Sequence, residues 1–350
     1  MAVRLGKQTI ALEAPVSIVN TATVVGTKES EGPLAPYFDV HLNDAEWNEE
    51  TWEKSESKMQ REAAKLAIRK AGMEPGNIDC AFAGDLLNQC ISSGFSAREL
   101  EIPYYGLYGA CSTMIEGLSL GAISIDGGGF DRTIAVASSH FCTAERQYRT
   151  PLEYGGQRTP TAQWTVTGAG AAVLEKRQFP PYITHITTGK VIDFGVTDPN
   201  NMGGAMAPAA IDTLKAHFRD TKRSPKNYDL ILTGDLGKVG REIVIDMMTA
   251  GGFDMEQNYN DTGCMIYDFE TQDVHAGGSG CGCVAVTLCG YVFEMMKKGE
   301  LNDVLILGTG ALLSPTSSLQ GESVPGIAQD RKSTRLNSSH KTESRMPSSA

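Results

Sequence analysis

Two stretches of this chain repeat one another at an offset of 150 residues. Lys65–Leu86 reads KLAIRKAGMEPGNIDCAFAGDL, and Lys215–Leu236 reads KAHFRDTKRSPKNYDLILTGDL. Without a gap, Lys65 coincides with Lys215, Arg69 with Arg219, Pro75 with Pro225, Asn77 with Asn227 and Asp79 with Asp229. Gly84-Asp85-Leu86 likewise falls on Gly234-Asp235-Leu236. A shared helix-then-strand of this length implies an internally duplicated fold with two pseudo-equivalent halves, since the period is too long for a solenoid. The differences between the halves are where a site is to be sought.

The rest of the chain replays the same order. In the first half, strands are expected at Val16–Thr21, Cys80–Ala83, Tyr104–Tyr108, Arg132–Ala137 and Ala169–Leu174. A long helix is expected from Asn43 or Asp44 to Gly72, and a second from Ser112 to about Ile125. In the second half, strands are expected at Tyr182–Thr187, Leu230–Leu232, Met265–Tyr267 and Val304–Leu307. Helices are expected from Pro208 to Asp220, from Arg241 to Gly251, and from Ser279 to Lys298. Alternating strands and helices imply a parallel-rich α/β sheet in each half, 1–176 and 177–330.

Ser112–Ile125 and Ser279–Phe293 are rich in Gly, Ser, Thr and Ala among apolar residues, and Glu116 alone charges their first three turns. A helix without a polar stripe is buried all round, and glycines weaken a helix unless close packing needs them. The two helices are therefore expected side by side between the halves. The expected architecture is a duplicated five-layer α-β-α-β-α fold.

Composition excludes several classes of function. A pI near 5.1 and a net charge of −11 argue against nucleic acid as a partner. No apolar run reaches the length of a membrane span, and Arg4 and Lys7 are not followed by an apolar signal core. The 8 cysteines, irregularly spaced, read as free thiols in a reducing compartment. Cys281 and Cys283, with Cys264 and Cys289, match no recognised metal-ligand spacing, so neither a metal nor another cofactor is expected. Gly127-Gly128-Gly129 follows a helix and is read as a turn, not a dinucleotide loop.

Cys111 is the candidate nucleophile. It follows a buried strand and opens the first central helix, where the helix dipole and unpaired N–H groups favour a thiolate and could hold an oxyanion. An inert buried cysteine is the alternative. A condensing enzyme would need a base, usually histidine, from the second half to activate that thiol. The loop after the repeated strand reads Thr233-Gly234-Asp235-Leu236, and the loop before the second central helix reads Gly277-Gly278-Ser279-Gly280. Neither contains histidine, and His275 is read as a strand or loop residue.

The duplicated halves, the central helices and Gly109-Ala110-Cys111-Ser112-Thr113 resemble the thiolase superfamily, which includes ketoacyl synthases. Within it, residues 5–328 resemble the stage V sporulation protein AD family of spore-forming bacteria. The runs that carry this are Gly84–Gln89, Ala137–His140, Thr143–Gln147, Glu153–Gln157, Met206–Ala210, Leu232–Leu236 and Gly277–Cys281. The resemblance implies a non-enzymatic protein that binds dipicolinic acid, alone or as its calcium salt, for uptake into the developing spore. It also implies partners among the spore membrane proteins of the same uptake system, and a soluble or peripheral location at the spore inner membrane. A homodimer is compatible with it. The rival reading is a working acyltransferase that uses Cys111 and acyl-CoA, and a purely structural role in spore assembly is a third.

Asp85, Asn88 and Gln89 at one strand end, and Ser139 and His140 at another, are candidate ligand contacts beside Cys111. Each could equally serve the scaffold. Arg146 and Arg149 could pair with the two carboxylates of dipicolinate, although solvated surface arginines are commoner. The last twenty residues, Arg331–Ala350, are polar and aperiodic, with five basic residues against one acidic. They resemble a translated adaptor, or else a disordered tail. By the repeat, a closing strand should begin near Ile327-Ala328, and its replacement by this tail predicts an incomplete second sheet.

Overall fold

The computed structural model describes residues 2–148, 158–176 and 179–334. The first half contains β1 (Thr9–Val25), α1 (Trp52–Lys70), β2 (Cys80–Gly84), α2 (Ile91–Leu100), β3 (Tyr104–Gly106), α3 (Thr113–Asp126), β4 (Arg132–Ser139), α4 (Phe141–Tyr148) and β5 (Gly168–Glu175). The second half contains β6 (Tyr182–Thr187), α5 (Met202–Thr221), β7 (Leu230–Thr233), α6 (Gly237–Ala250), β8 (Tyr259–Asp261), α7 (Thr262–Met265), α8 (Cys281–Thr287), α9 (Phe293–Lys298), β9 (Asp303–Ala311), α10 (Pro315–Leu319) and β10 (Gly326–Thr334). A π-helical turn, Leu288–Val292, joins α8 to α9.

The main strands run in the order β8-β7-β9-β10-β6-β1-β5-β4-β2-β3. Each half has the same pattern. The three outer strands pair in parallel, and the two inner strands are antiparallel to their neighbours. Each half is thus mixed, not mostly parallel as expected. The halves are also not separate sheets, because β1 pairs antiparallel with β6 across the pseudo-twofold. α1 covers the outer face of β1, β5 and β4, while α5 covers β10 and β9. Between the halves lie α3 and α8, and α3 touches strands of both. This is the five-layer thiolase-like architecture.

The repeated sequence has repeated physics. Glu74 and Asn77 form a capping box around a short 3-10 turn, as do Ser224 and Asn227. Asp79 Oδ2 accepts from the N–H groups of Asp131 and Arg132 at 2.8 Å. Asp229 Oδ2 accepts from Asn302 and Asp303 at 2.7 and 3.0 Å. In both halves the aspartate pins the repeated strand to the start of its neighbour.

Close approach explains the glycines of the central helices. A Cβ on Gly282 would sit 2.6 Å from Gly168 O, and one on Gly121 would sit 2.6 Å from Thr133 Oγ1. α8 is buried along its whole length, whereas α3 leaves Leu120 and Ile123 partly exposed, so it is not buried all round.

Several expected boundaries move. α1 starts at Trp52, capped by the Thr51 hydroxyl, because Asp44 instead holds a turn by accepting from Glu46 and Trp47 N–H. α5 begins at Met202 with Asn201 as its cap, so Pro208 lies inside the helix and does not open it. The strand expected at Met265–Tyr267 is displaced to Tyr259–Asp261, and Thr262–Met265 is helical.

The largest correction concerns the tail. The closing strand begins at Gly326, close to where the repeat places it, but it is not missing: β10 continues through Arg331, Lys332 and Ser333 to Thr334. It pairs with β9 on one side and β6 on the other, and Arg331–Thr334 are buried. A strand ladder is made by backbone groups, so a polar segment can occupy a slot between two strands whose donors and acceptors would otherwise be unpaired. Residues 335–350 lie outside the described residues.

Candidate functional site

Cys111 is presented by the crossing from β3 to α3. Leu107 N–H continues the ladder to Ala83 O at 2.9 Å, and the chain then turns sharply, with Ala110 at φ 50°. Ala110–Ser112 form a 3-10 turn that runs into α3. The Ser112 and Thr113 hydroxyls donate to Gly109 O and Ala110 O, both at 2.7 Å. Cys281 Sγ, at the start of α8, also donates to Ala110 O at 3.0 Å. The two central helices therefore converge on Cys111 with their N-terminal ends.

The second half supplies the other wall. Gly278–Ser279 pairs with Trp164–Thr165, and Gly280 adopts φ 103°, where a Cβ would also lie 2.6 Å from Ser139 Oγ. This brings Ser279 Oγ to 3.9 Å from Cys111 Sγ and aims the Gly280 N–H at the thiol. Asp235 has a left-handed backbone at φ 70°, and its N–H donates to Thr262 Oγ1 at 3.2 Å. Its buried carboxyl lies among the Cys111 and Cys283 thiols and the Thr262 hydroxyl.

These surroundings decide protonation. Burial, and then the Asp235 carboxyl, push the Cys111 thiol far above the ordinary cysteine range. Burial likewise holds the Asp235 carboxyl well above the carboxylate range, with Asp261 adding repulsion against weak thiol hydrogen bonds. The thiolate expected from the helix position is therefore overruled by desolvation, the larger effect here. Burial thus opposes ionisation of both the Cys111 thiol and the Asp235 carboxyl. Asp261 differs, because it accepts from Thr233 Oγ1 and from the N–H groups of Leu236, Gly237 and Gly263. Burial pushes it only to about 6.

Cys111 lies in the wall of a cavity of about 270 Å³ between the halves. Leu86, Tyr108, Ala110, Ala144, Glu145, Tyr148 and Thr165 line it from the first half, with Met202, Ser279, Gly280 and Ala311–Ser314 from the second. Tyr108 and Tyr148 meet through their hydroxyls at 3.1 Å, and Tyr148 donates to Leu86 O. Among the described residues, no histidine lines the cavity. His275 points elsewhere, with Nδ1 on Thr159 O at 2.7 Å and Nε2 3.1 Å from Asp273.

Of the candidate contacts among the described residues, only Cys111 lines this cavity. Asp85 is consumed by the scaffold: Oδ1 accepts from Leu87 N–H at 2.9 Å, and Oδ2 from Ser93 N–H and Oγ at 2.8 and 2.6 Å. His140 is fully buried, donates from Nε2 to Ala45 O at 2.8 Å and accepts the Cys142 N–H on Nδ1 at 3.2 Å. That pattern is a neutral imidazole, and burial holds its pKa below the usual value. Ser139 donates to Val166 O at 2.7 Å and accepts from Gly282 N–H at 3.0 Å, tying α8 to the first half behind the cavity.

Asn88 and Arg146 line a separate surface cleft with Glu53 and Gln147. Asn88 Oδ1 lies 3.4 Å from the hydroxyl of Tyr108 in the cavity wall. Arg146 pairs with Glu53 and lies 5.4 Å from the Trp52 ring centre. Gln89 occupies a left-handed position in the turn before α2. Arg149 and Glu153–Gln157 lie outside the described residues.

Sequence reasoning does not single out Asp235, Ser279, Tyr108 or Tyr148 as site residues. For Asp235 a signal exists: it is the repeat partner of Asp85, but without the Ser93-like partner that absorbs Asp85 into the scaffold. No pattern points to the two tyrosines beyond Tyr108's closeness to Cys111.

The fold, with a cysteine at its pseudo-twofold, is the thiolase-like fold that ketosynthase structures share. A singly substituted form of OleA from Xanthomonas campestris aligns with a TM-score of 0.61 at 14% identity, over 93% of this chain and 99% of that one. The 3-oxoacyl-[acyl-carrier-protein] synthase III of Aquifex aeolicus VF5 aligns at 0.54 and 14% identity, over 90% and 99%. The family model for stage V sporulation protein AD (SpoVAD) matches residues 6–331. Stage V sporulation protein AD of Bacillus subtilis (strain 168) is 45% identical over 323 residues, covering 92% of this chain and 95% of that protein. The chain belongs to the stage V sporulation protein AD family.

Proposed function

We propose that this sporulation protein is a ligand-binding member of a catalytic fold: it takes dipicolinate into the Cys111 cavity and does not turn over acyl thioesters. The observation that carries the reading is a cavity lining with no histidine among its described residues, in which Cys111 and the neighbouring Asp235 are both buried. Condensing chemistry needs a thiolate or a base to make one. Here burial disfavours the thiolate, and it also opposes ionisation of the carboxyl beside it.

The cavity suits a small planar ligand. Leu86, Tyr108 and Tyr148 offer apolar and aromatic faces, while the Ser279 and Thr165 hydroxyls and the Gly280 N–H offer neutral donors. A few convergent polar groups in an otherwise apolar pocket are what orients a small molecule. Glu145 also lies in the lining, and the calcium salt, whose metal cancels the dianion's charge, is the form to set beside free dipicolinate. Delivery to the developing spore would then involve membrane partners, because no described helix is long and apolar enough to cross a bilayer.

The test is calorimetric titration of the full chain with dipicolinate, with and without calcium, and separately with acetyl-CoA. Saturable dipicolinate binding weakened by Cys111→Trp, which fills the cavity, is the expected result, together with no release of free CoA. Steady CoA release abolished by Cys111→Ala, without dipicolinate binding, would establish the acyltransferase reading instead.

A further inference from the structure

Two loops of the second half are zipped into a rigid face at the cavity mouth. Segment 188–201 precedes α5, and segment 312–325 joins β9 to β10. Ile192 and Gly326 exchange both backbone hydrogen bonds, at 2.9 and 2.8 Å, and Val324 N–H donates to Val196 O at 2.8 Å. Ser323 Oγ donates to Asp193 Oδ2 at 2.5 Å, and Leu312 N–H to Pro325 O at 2.8 Å. Ile192, Val196, Leu313 and Val324 turn inward onto the outer core.

The opposite side faces water with large apolar groups. Val191 is 56% exposed, Phe194 73% and Leu319 88%. Single exposed apolar residues are ordinary. Here Val191 and Phe194 flank the paired Ile192 and the Ser323-bonded Asp193, and Leu319 ends α10 in the other segment, four residues before Ser323; an apolar patch with a polar rim marks an interaction surface. Holding such groups in place in the free protein lowers the entropy lost when a partner docks.

The rim selects the partner. Asp193, next to Phe194, Glu322, three residues after Leu319, and Asp198 are exposed in the same two segments, whereas Lys190 is engaged by Asp212 at 3.2 Å. An acidic rim on a chain of net charge −11 repels both an anionic bilayer and a second copy of itself. The same loops supply Leu312, Leu313 and Ser314 to the cavity wall, and Met202 follows the other loop directly.

We propose that the zipped loops are a docking face for a protein segment carrying basic side chains around apolar anchors, seated beside the mouth of the Cys111 cavity. This assignment does not depend on which ligand fills the cavity. The test is fluorescence anisotropy of a labelled amphipathic peptide built of leucine and lysine, titrated with the full chain at low salt. Phe194→Ser with Leu319→Ser should weaken binding about tenfold, and Glu322→Lys should weaken it and flatten its salt dependence. Unfolding midpoints and dipicolinate titrations of both variants should match the parent, which separates loss of this face from loss of the cavity. Peptide affinity indifferent to Phe194 and Leu319 overturns the proposal. So does sedimentation with phosphatidylglycerol vesicles that requires those two residues, since it would make the occupant a membrane.

Discussion

Arg331 is the residue whose replacement should most improve this chain. It sits in β10 fully buried, packed among Ile18, Leu288, Val292, Phe293, Met296, Val304 and Ile306. Nη1 donates to Ser333 Oγ, while Nε and Nη2 have no hydrogen-bond partner among the described residues. Burial pulls its pKa down from the ordinary arginine range to about 10, against weaker support from Cys289 and Asp330. For a base, a folded pKa below the unfolded one is a penalty on the charged form. It is fully present below about pH 10 and relieved only as pH rises from there towards the ordinary arginine range. At 1.36 kcal/mol per unit this shift corresponds to roughly 3 kcal/mol at neutral pH. Replacing a buried ion by an apolar side chain of similar volume stabilises by about 1–4 kcal/mol in other proteins. Arg331→Met, which keeps the length and flexibility of the stem, should therefore add about 2–4 kcal/mol. Urea unfolding should show this as a higher midpoint with unchanged slope, and heating as a rise on the order of 5 °C. The gain should be constant between about pH 6 and 9, because both protonation equilibria lie above that window. Ser333→Val should add stability once Arg331→Met is in place and remove it in the parent, where it strips Arg331 of its one acceptor. A neutral or destabilising Arg331→Met would refute the burial of this strand segment.

Three further outcomes are expected. Asp85→Ala should lower stability by about 2–4 kcal/mol in urea unfolding, because it orphans the buried N–H groups of Leu87 and Ser93; a stable variant that loses only ligand affinity would return Asp85 to the site. Cys111 should resist iodoacetamide at pH 7 in the folded chain and react on unfolding, since burial and Asp235 hold its thiol protonated; rapid alkylation of the native protein contradicts this. Glu29, buried against Tyr267 and pushed up to about 7 chiefly by burial, is an acid whose folded pKa exceeds its unfolded one. The parent should therefore lose stability as pH rises from about 4.5 to about 7, and Glu29→Gln should flatten that slope; parallel midpoint–pH curves would show that Glu29 ionises freely in the fold.

Much of the framework was legible because it is local chemistry repeated. Pro75/Pro225, Asn77/Asn227 and Asp79/Asp229 cap turns and pin strands with partners a few residues away or at the start of the next strand, so like sequences gave like structures. The candidate site was less legible. His140 and Asp85 occupy strand ends, where ligands are often met, but whether a strand-end side chain faces a cavity or a neighbouring loop depends on what packs above it. Here Ala45 and Ser93 take those positions.

The sequence by itself determined the duplication, the central helix pair, the cysteine at a helix start and the absence of a second-half histidine from the loops that face it. These follow from periodicity, small residues and residue identity, which need no knowledge of distant neighbours. Only the tertiary structure decided that Asp235 and Asp85 part company despite their shared motif. One is satisfied by Ser93, and the other is left beside Cys111 with its charge suppressed. It also decided that the polar run from Arg331 to Thr334 becomes a buried strand. Backbone pairing with β9 and β6 is available to any side chain, so the slot between them, not the local sequence, sets the conformation.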